Sequence, residues 1–298
     1  MTNRDEIVVS TRGMSMSYGS KLVLDGIDLQ IRRGEVVALL GANGAGKTTT
    51  IEILEGLRSP TGGSVEVLGV DPLHASVDHR ARVGVVLQSW RDHARWRVRE
   101  FLHHFFLLHA PFRAEGGWGV DELLERVGLP DKAHARIASL SGGQRRRLDV
   151  AVGLIGNPEL LFLDEPTVGF DPHARREFHE LMHELVDARA TTILLTTHDL
   201  AEAERLADRI LILHRGRIAA DGSADALARE VAGTTEVRWR VGDERFVHAT
   251  EAATPFVREL LNREPDVDDL EIRRTTLEDT YLTMVAQHAA ATAEEDGR

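Results

Sequence analysis

Between residues 7 and 33 apolar and polar positions alternate: Ile7-Val8-Val9, Leu22-Val23-Leu24 and Ile27-Asp28-Leu29-Gln30-Ile31. Successive side chains of a strand point to opposite faces, so this pattern predicts antiparallel strands with one wet side. The runs Val36-Val37-Ala38-Leu39-Leu40, Leu160-Leu161-Phe162-Leu163 and Thr192-Ile193-Leu194-Leu195-Thr196 lack that alternation. They read as parallel strands buried on both faces. Another alternating strand covers 64–68, after a turn at 59–63, and a buried one covers 82–87. Residues 98–156 read as mainly helical, broken by Gly and Pro at 110–119 and 128–130, and a further helix covers 174–189. Two strands at 209–213 and 217–220 flank Arg215-Gly216 as a hairpin. From about 229 the character changes to strands at 236–241, 245–247 and 267–273, with helices at 254–263 and 277–288. No internal repeat is visible.

The apolar run 36–40 leads into Gly41-Ala42-Asn43-Gly44-Ala45-Gly46-Lys47-Thr48, a complete G-x-x-x-x-G-K-[ST] loop, and then into the helical stretch 49–54. Strand, loop and helix thus come in the order that a phosphate-cradling loop requires. Glycines at 41, 44 and 46 let backbone N–H groups converge on phosphate oxygens at the positive end of a helix dipole. Lys47 supplies a point charge for the β- and γ-phosphates, and the Thr48 hydroxyl a Mg2+ ligand. The chain holds 33 Arg and only 3 Lys (Lys21, Lys47 and Lys132). It therefore keeps a lysine where a compact ammonium fits and a guanidinium fork does not.

The rest of the candidate chemistry lies at other strand ends. The run 160–163 ends in Asp164 and Glu165; the first is placed to hold Mg2+ through water, the second to polarise an attacking water. His198 ends the next buried strand and can reach a γ-phosphate, and Gln88 ends strand 82–87, within reach of Mg2+ or the water. Tyr18 can stack on a purine. The nucleotide-contacting set is thus Tyr18, Gly41, Asn43, Gly44, Gly46, Lys47, Thr48 and Thr49. Far downstream, Leu140-Ser141-Gly142-Gly143-Gln144 precedes a helix that Ser141 can cap, giving a second helix N-terminus suited to an anion.

These residues, with Gly169-Phe170-Asp171-Pro172, occur in the order and roles of an ABC-type ATPase, the nucleotide-binding subunit of a transporter. The chain resembles that family over about residues 5–225, with an intact LSGGQ signature. The change of character from about 229 reads as a small C-terminal α+β appendage, an accessory domain at 229–288, with a disordered tail at 289–298. For the part before it the resemblance implies an α/β fold, a RecA-like P-loop NTPase core with an antiparallel β subdomain and a helical subdomain (about 98–157), and a nucleotide-binding domain at 5–228. It also implies ATP and Mg2+ as cofactors, and two such domains closing head to tail as a homodimer or heterodimer. Ser141, Gly142, Gly143 and Gln144 of one subunit would then meet the γ-phosphate held by the other, with Asp171 at the dimer seam. Thr276-Leu277-Glu278-Asp279-Thr280-Tyr281-Leu282 resembles the end motif of bacterial drug-resistance exporter ATPases. Those serve separately encoded ABC-2-type permeases from the cytoplasmic side of the membrane.

Composition narrows the alternatives. A net charge of -12 argues against general nucleic-acid binding, although residues 80–147 carry 13 Arg/Lys against 7 Asp/Glu, a solvated helical surface or a docking face. There is no Cys, no apolar run long enough to span a bilayer and no apolar core to a leader at residues 1–6. Two rivals stay open: a soluble ABC ATPase switch acting on nucleic acid or ribosomes, and a protein that sequesters a toxic compound. The helical pattern His179-Glu180-Leu181-Met182-His183 matches a zinc-protease motif without a third ligand and is set aside. Trp90, Trp96, Phe101, Phe105 and Phe106 are read as helical core, or in part as a groove for a permease helix.

Overall fold

The computed structural model describes residues 5–86, 93–112, 117–189, 191–231, 235–242, 244–250, 252–264 and 266–273. Strands β1 (Ile7–Tyr18) and β2 (Lys21–Arg32) form an antiparallel ribbon closed by Gly19-Ser20. Strand β3 (Val36–Leu40) leaves for a second sheet, α1 (Lys47–Leu54) follows, and β4 (Gly62–Val67) returns to the free side of β1, giving the order β2-β1-β4. The register of β1 against β2 slips between Thr11 and Met14, which lets Met14 and Met16 turn into the core although their neighbours are polar. Within this strand the sequence marks Ile7-Val8-Val9 most clearly, because the slip breaks the period-2 pattern beyond them.

The short helix α2 (Val77–Ala81) leads to β5 (Val83–Val86). Helices α3 (Val98–His109), α4 (Val120–Arg126) and α5 (Gly142–Leu154) make up the helical subdomain. The remaining alternation runs β6 (Leu160–Asp164), α6 (Pro172–Arg189), β7 (Thr192–Thr197), α7 (Leu200–Leu206), β8 (Arg209–His214) and β9 (Arg217–Gly222). The core sheet has the order β5-β6-β7-β3-β8-β9. β3 pairs in parallel with both β7 and β8, and β6 with both β5 and β7. Every residue of β3, β6 and β7 is buried, as their unbroken apolar runs require. Because these strands are parallel, residues just past β3, β6 and β7 all emerge at one end of the sheet.

The chain divides into two compact units, Met1–Ile218 and Ala219–Arg298. The second contains α8 (Ala224–Val231), β10 (Thr235–Val241), β11 (Glu244–Thr250), α9 (Ala253–Arg263) and β12 (Val267–Arg273), with the three strands ordered β11-β10-β12. Trp239 packs against Phe246 and Phe256, with ring centroids 5.5 and 5.7 Å away, while Val237 and Leu260 are fully enclosed. The expected helix over 277–288, with the 276–282 motif, lies outside the described residues. No helix among the described residues is long and apolar enough to cross a membrane.

Candidate nucleotide-binding site

The loop after β3 is held open by backbone geometry that other residues would disturb. Gly46 has φ +112°, and a Cβ there would meet Leu24 Cδ2 at 2.5 Å; a Cβ on Gly41 would meet the Leu213 carbonyl oxygen at 2.5 Å. Lys47 begins α1 and is almost wholly buried, at 6% exposure. Its ammonium donates to the carbonyls of Gly41 at 2.7 Å and Ala42 at 3.3 Å, and lies 3.7 Å from Glu165 Oε1. The lysine therefore curls back over its own loop, with its charge where phosphate oxygens would gather.

The carboxylates come from the end of β6. Asp164 is buried; its Oδ1 accepts the Thr196 hydroxyl at 2.5 Å, and its Oδ2 lies 3.5 Å from Thr48 Oγ1. This pair of hard oxygen donors, fixed beside a phosphate cradle, fits a Mg2+ ion that keeps waters and phosphates as its other ligands. Glu165 takes φ +47°, unusual for a residue with a side chain. Its N–H is tied to Thr196 through both the hydroxyl, at 3.0 Å, and the carbonyl, at 3.2 Å. That turn aims Glu165 Oε1 to within 3.3 Å of His198 Nδ1, just past β7.

An open cleft of about 650 Å³ results, lined among others by Tyr18, Lys21, Asn43, Gly44, Gly46, Lys47, Thr48, Thr49, Glu165 and His198. Most of the residues expected at the nucleotide thus meet in one place. Gln88 and Trp90 lie outside the described residues.

The signature residues do not line this cleft. Ser141 caps α5 through the Gln144 N–H at 3.2 Å, and Gln144 Oε1 accepts the Ser141 N–H at 3.1 Å, a reciprocal capping box. Ser141 and Gly142 are exposed, so the N-terminal end of α5 faces away from the protein interior. Asp171 caps α6, its Oδ1 accepting the N–H groups of His173 and Ala174 at 2.9 Å each, and those donors hold its carboxyl below the usual range. His179 is buried against Phe178, and burial lowers its pKa to about 4, while Glu180 and His183 are exposed. Phe101 is core, whereas Trp96 is 38% exposed.

Three residues at this site escape a reading of the sequence. Thr196 fixes both carboxylate positions; only its cross-strand pairing with Asp164 reveals it. Arg146 is buried, with its guanidinium donating to the carbonyls of Asp164 and, at 3.0 Å, Pro166, so α5 is tied to the turn after β6. Its place one helical turn before Val150 and two before Leu154, both buried, was the available signal. Lys21 is the third, and the scarcity of lysine pointed to it.

Comparison with known proteins agrees with this geometry. The family model described as "ABC transporter" matches residues 24–168. The chain is 36% identical to daunorubicin resistance ATP-binding protein DrrA3 of Streptomyces coeruleorubidus, over 93% of this chain and 95% of that one. It is 41% identical to Nod factor export ATP-binding protein I of Rhizobium leguminosarum bv. viciae, over 80% and 76%. Among solved structures, an ATP-binding subunit of an ABC transporter superposes with a TM-score of 0.65 at 29% identity, covering 75% of this chain and 92% of its own. A dimeric, post-hydrolysis ATP-binding cassette, MJ0796 bound to ADP and Pi, shares the fold at a TM-score of 0.64 and 24% identity, covering 72% and 98%. With its RecA-like core and its ATP-binding, ATP-hydrolysing site, the chain belongs to the ABC transporter family as an ATP-binding subunit.

Proposed function

We propose that this subunit powers the export of a small molecule, drug or lipid-like compound through a separately encoded ABC-2-type permease, from the inner face of a bacterial membrane. The observation that carries its chemistry is the convergence of the 41–48 loop, the Asp164-Glu165 turn and His198 on one cleft. The relatives named for daunorubicin resistance and Nod factor export support the outward direction. In this reading Tyr18 stacks on the base, and the loop with Asn43, Lys47 and Thr49 holds the phosphates. Glu165 polarises the attacking water, and His198 orients the γ-phosphate, with Gln88 assisting. Thr48 and Asp164, with Gln88 as a third ligand, hold Mg2+, which supplies neutralisation of phosphate charge.

Two chains close head to tail, because the exposed Ser141-Gly142 end of α5 has no place in the cleft of its own chain. Gly143 and Gln144 complete that contact, and Asp171 lies at the seam. ATP binding closes the pair and hydrolysis reopens it, which gates the permease. The region 229–288 serves as an accessory domain. Glu165→Gln should bind ATP, accumulate as a dimer and hydrolyse at least about 100-fold more slowly. Wild-type turnover by that variant would remove Glu165 from the chemistry.

A further inference from the structure

Lys21 lines the same cleft as Tyr18, Lys47 and Glu165. It is the cross-strand partner of Tyr18 over the two-residue turn, so both side chains leave the same face of the ribbon. The Tyr18 ring is already backed by Arg58, whose guanidinium carbon lies 5.0 Å from the ring centroid and whose Nε donates to Glu52 at 2.7 Å. A base stacking on Tyr18 therefore takes the other ring face. Lys47, which lines the same cleft, is engaged with two loop carbonyls and Glu165. The Lys21 side chain, by contrast, is exposed, and its ammonium has no hydrogen bond or ion pair among the described residues.

Resting on the nucleotide reading above, we propose that Lys21 is a nucleotide-binding residue whose ammonium meets the α-phosphate. With the β- and γ-phosphates on the loop and the base on Tyr18, the ribose and α-phosphate fall between them. The α-phosphate is the anion in that interval, and Lys21 is the cation that the ribbon presents to it. A second observation points the same way: of 3 lysines among 36 basic residues, two line this one cleft.

The test is displacement of a fluorescent ADP analogue by ATP, ADP, AMP and adenosine from wild type, Lys21→Gln and Lys21→Arg. Lys21→Gln should weaken ATP, ADP and AMP by a similar factor, about five-fold, as for one solvent-facing ion pair. Adenosine should bind Lys21→Gln and wild type alike, and Lys21→Arg should fall between the two, because the charge is kept while a guanidinium fork replaces the compact ammonium. Raising the salt should narrow the gap between Lys21→Gln and wild type. Unchanged binding of all three phosphorylated ligands to Lys21→Gln overturns the inference, as does an equal loss for adenosine. Failure of the wild type to bind any of the ligands overturns the nucleotide reading itself, and this inference with it.

Discussion

Replacing Thr196 with Val removes one hydroxyl that serves both Asp164 and Glu165, the proposed Mg2+ ligand and general base, and leaves the shape of the strand unchanged. In the native protein this hydroxyl donates to Asp164 Oδ1 at 2.5 Å and accepts the Glu165 N–H at 3.0 Å, with no exposure to solvent. A hydrogen bond to a buried charged group is worth about 1.5–3 kcal/mol. The N–H loses less, since the Thr196 carbonyl still accepts it at 3.2 Å. The extra buried methyl of Val returns about 1 kcal/mol. A net loss of about 1–2 kcal/mol follows, or roughly 2–8 °C in Tm for a unit of this size. The effect on turnover is larger. Glu165 holds its φ of +47° partly through this hydroxyl, and a displacement of about 1 Å at a reacting group can cost about 100-fold. Thr196→Val should therefore lower kcat by about 10- to 100-fold, with metal-free nucleotide binding changed by less than about three-fold, since the loop is untouched. Urea unfolding, steady-state ATP hydrolysis and nucleotide titration measure the three quantities. A kcat within two-fold of wild type, in a variant destabilised as expected, would refute the positioning role.

Two further outcomes are expected. Burial, with Asp164 and Glu52 nearby, pushes the Glu55 carboxyl up to about 8, and its Oε2 has no hydrogen-bond partner among the described residues. The native state then holds a proton that the unfolded chain releases from about pH 4.5 upward, so stability falls as pH rises from there to about 8. Glu55→Gln should flatten that fall, on the order of a few kcal/mol, and be the more stable form at pH 8; parallel Tm-against-pH curves for the two proteins would contradict this. Gly46→Ala forces a side chain into a φ of +112° and against Leu24 Cδ2, so it should cost at least about 1–3 kcal/mol and abolish binding of a fluorescent ADP analogue. Retained binding would mean that the loop tolerates a Cβ.

Features written in consecutive residues were legible without the fold. The 41–48 loop, the acid pair 164–165 and the capped 141–144 turn each combine local backbone need with local chemistry. The buried parallel strands were legible too, because burial on both faces erases alternation. What stayed hidden depends on residues far apart in the chain. Thr196 matters only because β7 places it beside Asp164, 32 positions away. Arg146 matters only because its guanidinium reaches two carbonyls at and just past the end of the next strand. The burial of Met14 and Met16 in the second half of β1 is hidden for a different reason: register slips break the alternation within a polar-looking stretch.

The central claim, that this ATPase works on a membrane permease, is tested most directly by its native partner. The chain, tagged at its N-terminus, would be recovered from gently solubilised native membranes, and the co-purifying proteins identified. The account predicts a stoichiometric protein with several membrane spans, released together with this subunit. Recovery from the soluble fraction alone, with ribosomes, nucleic acid or no partner, would contradict it.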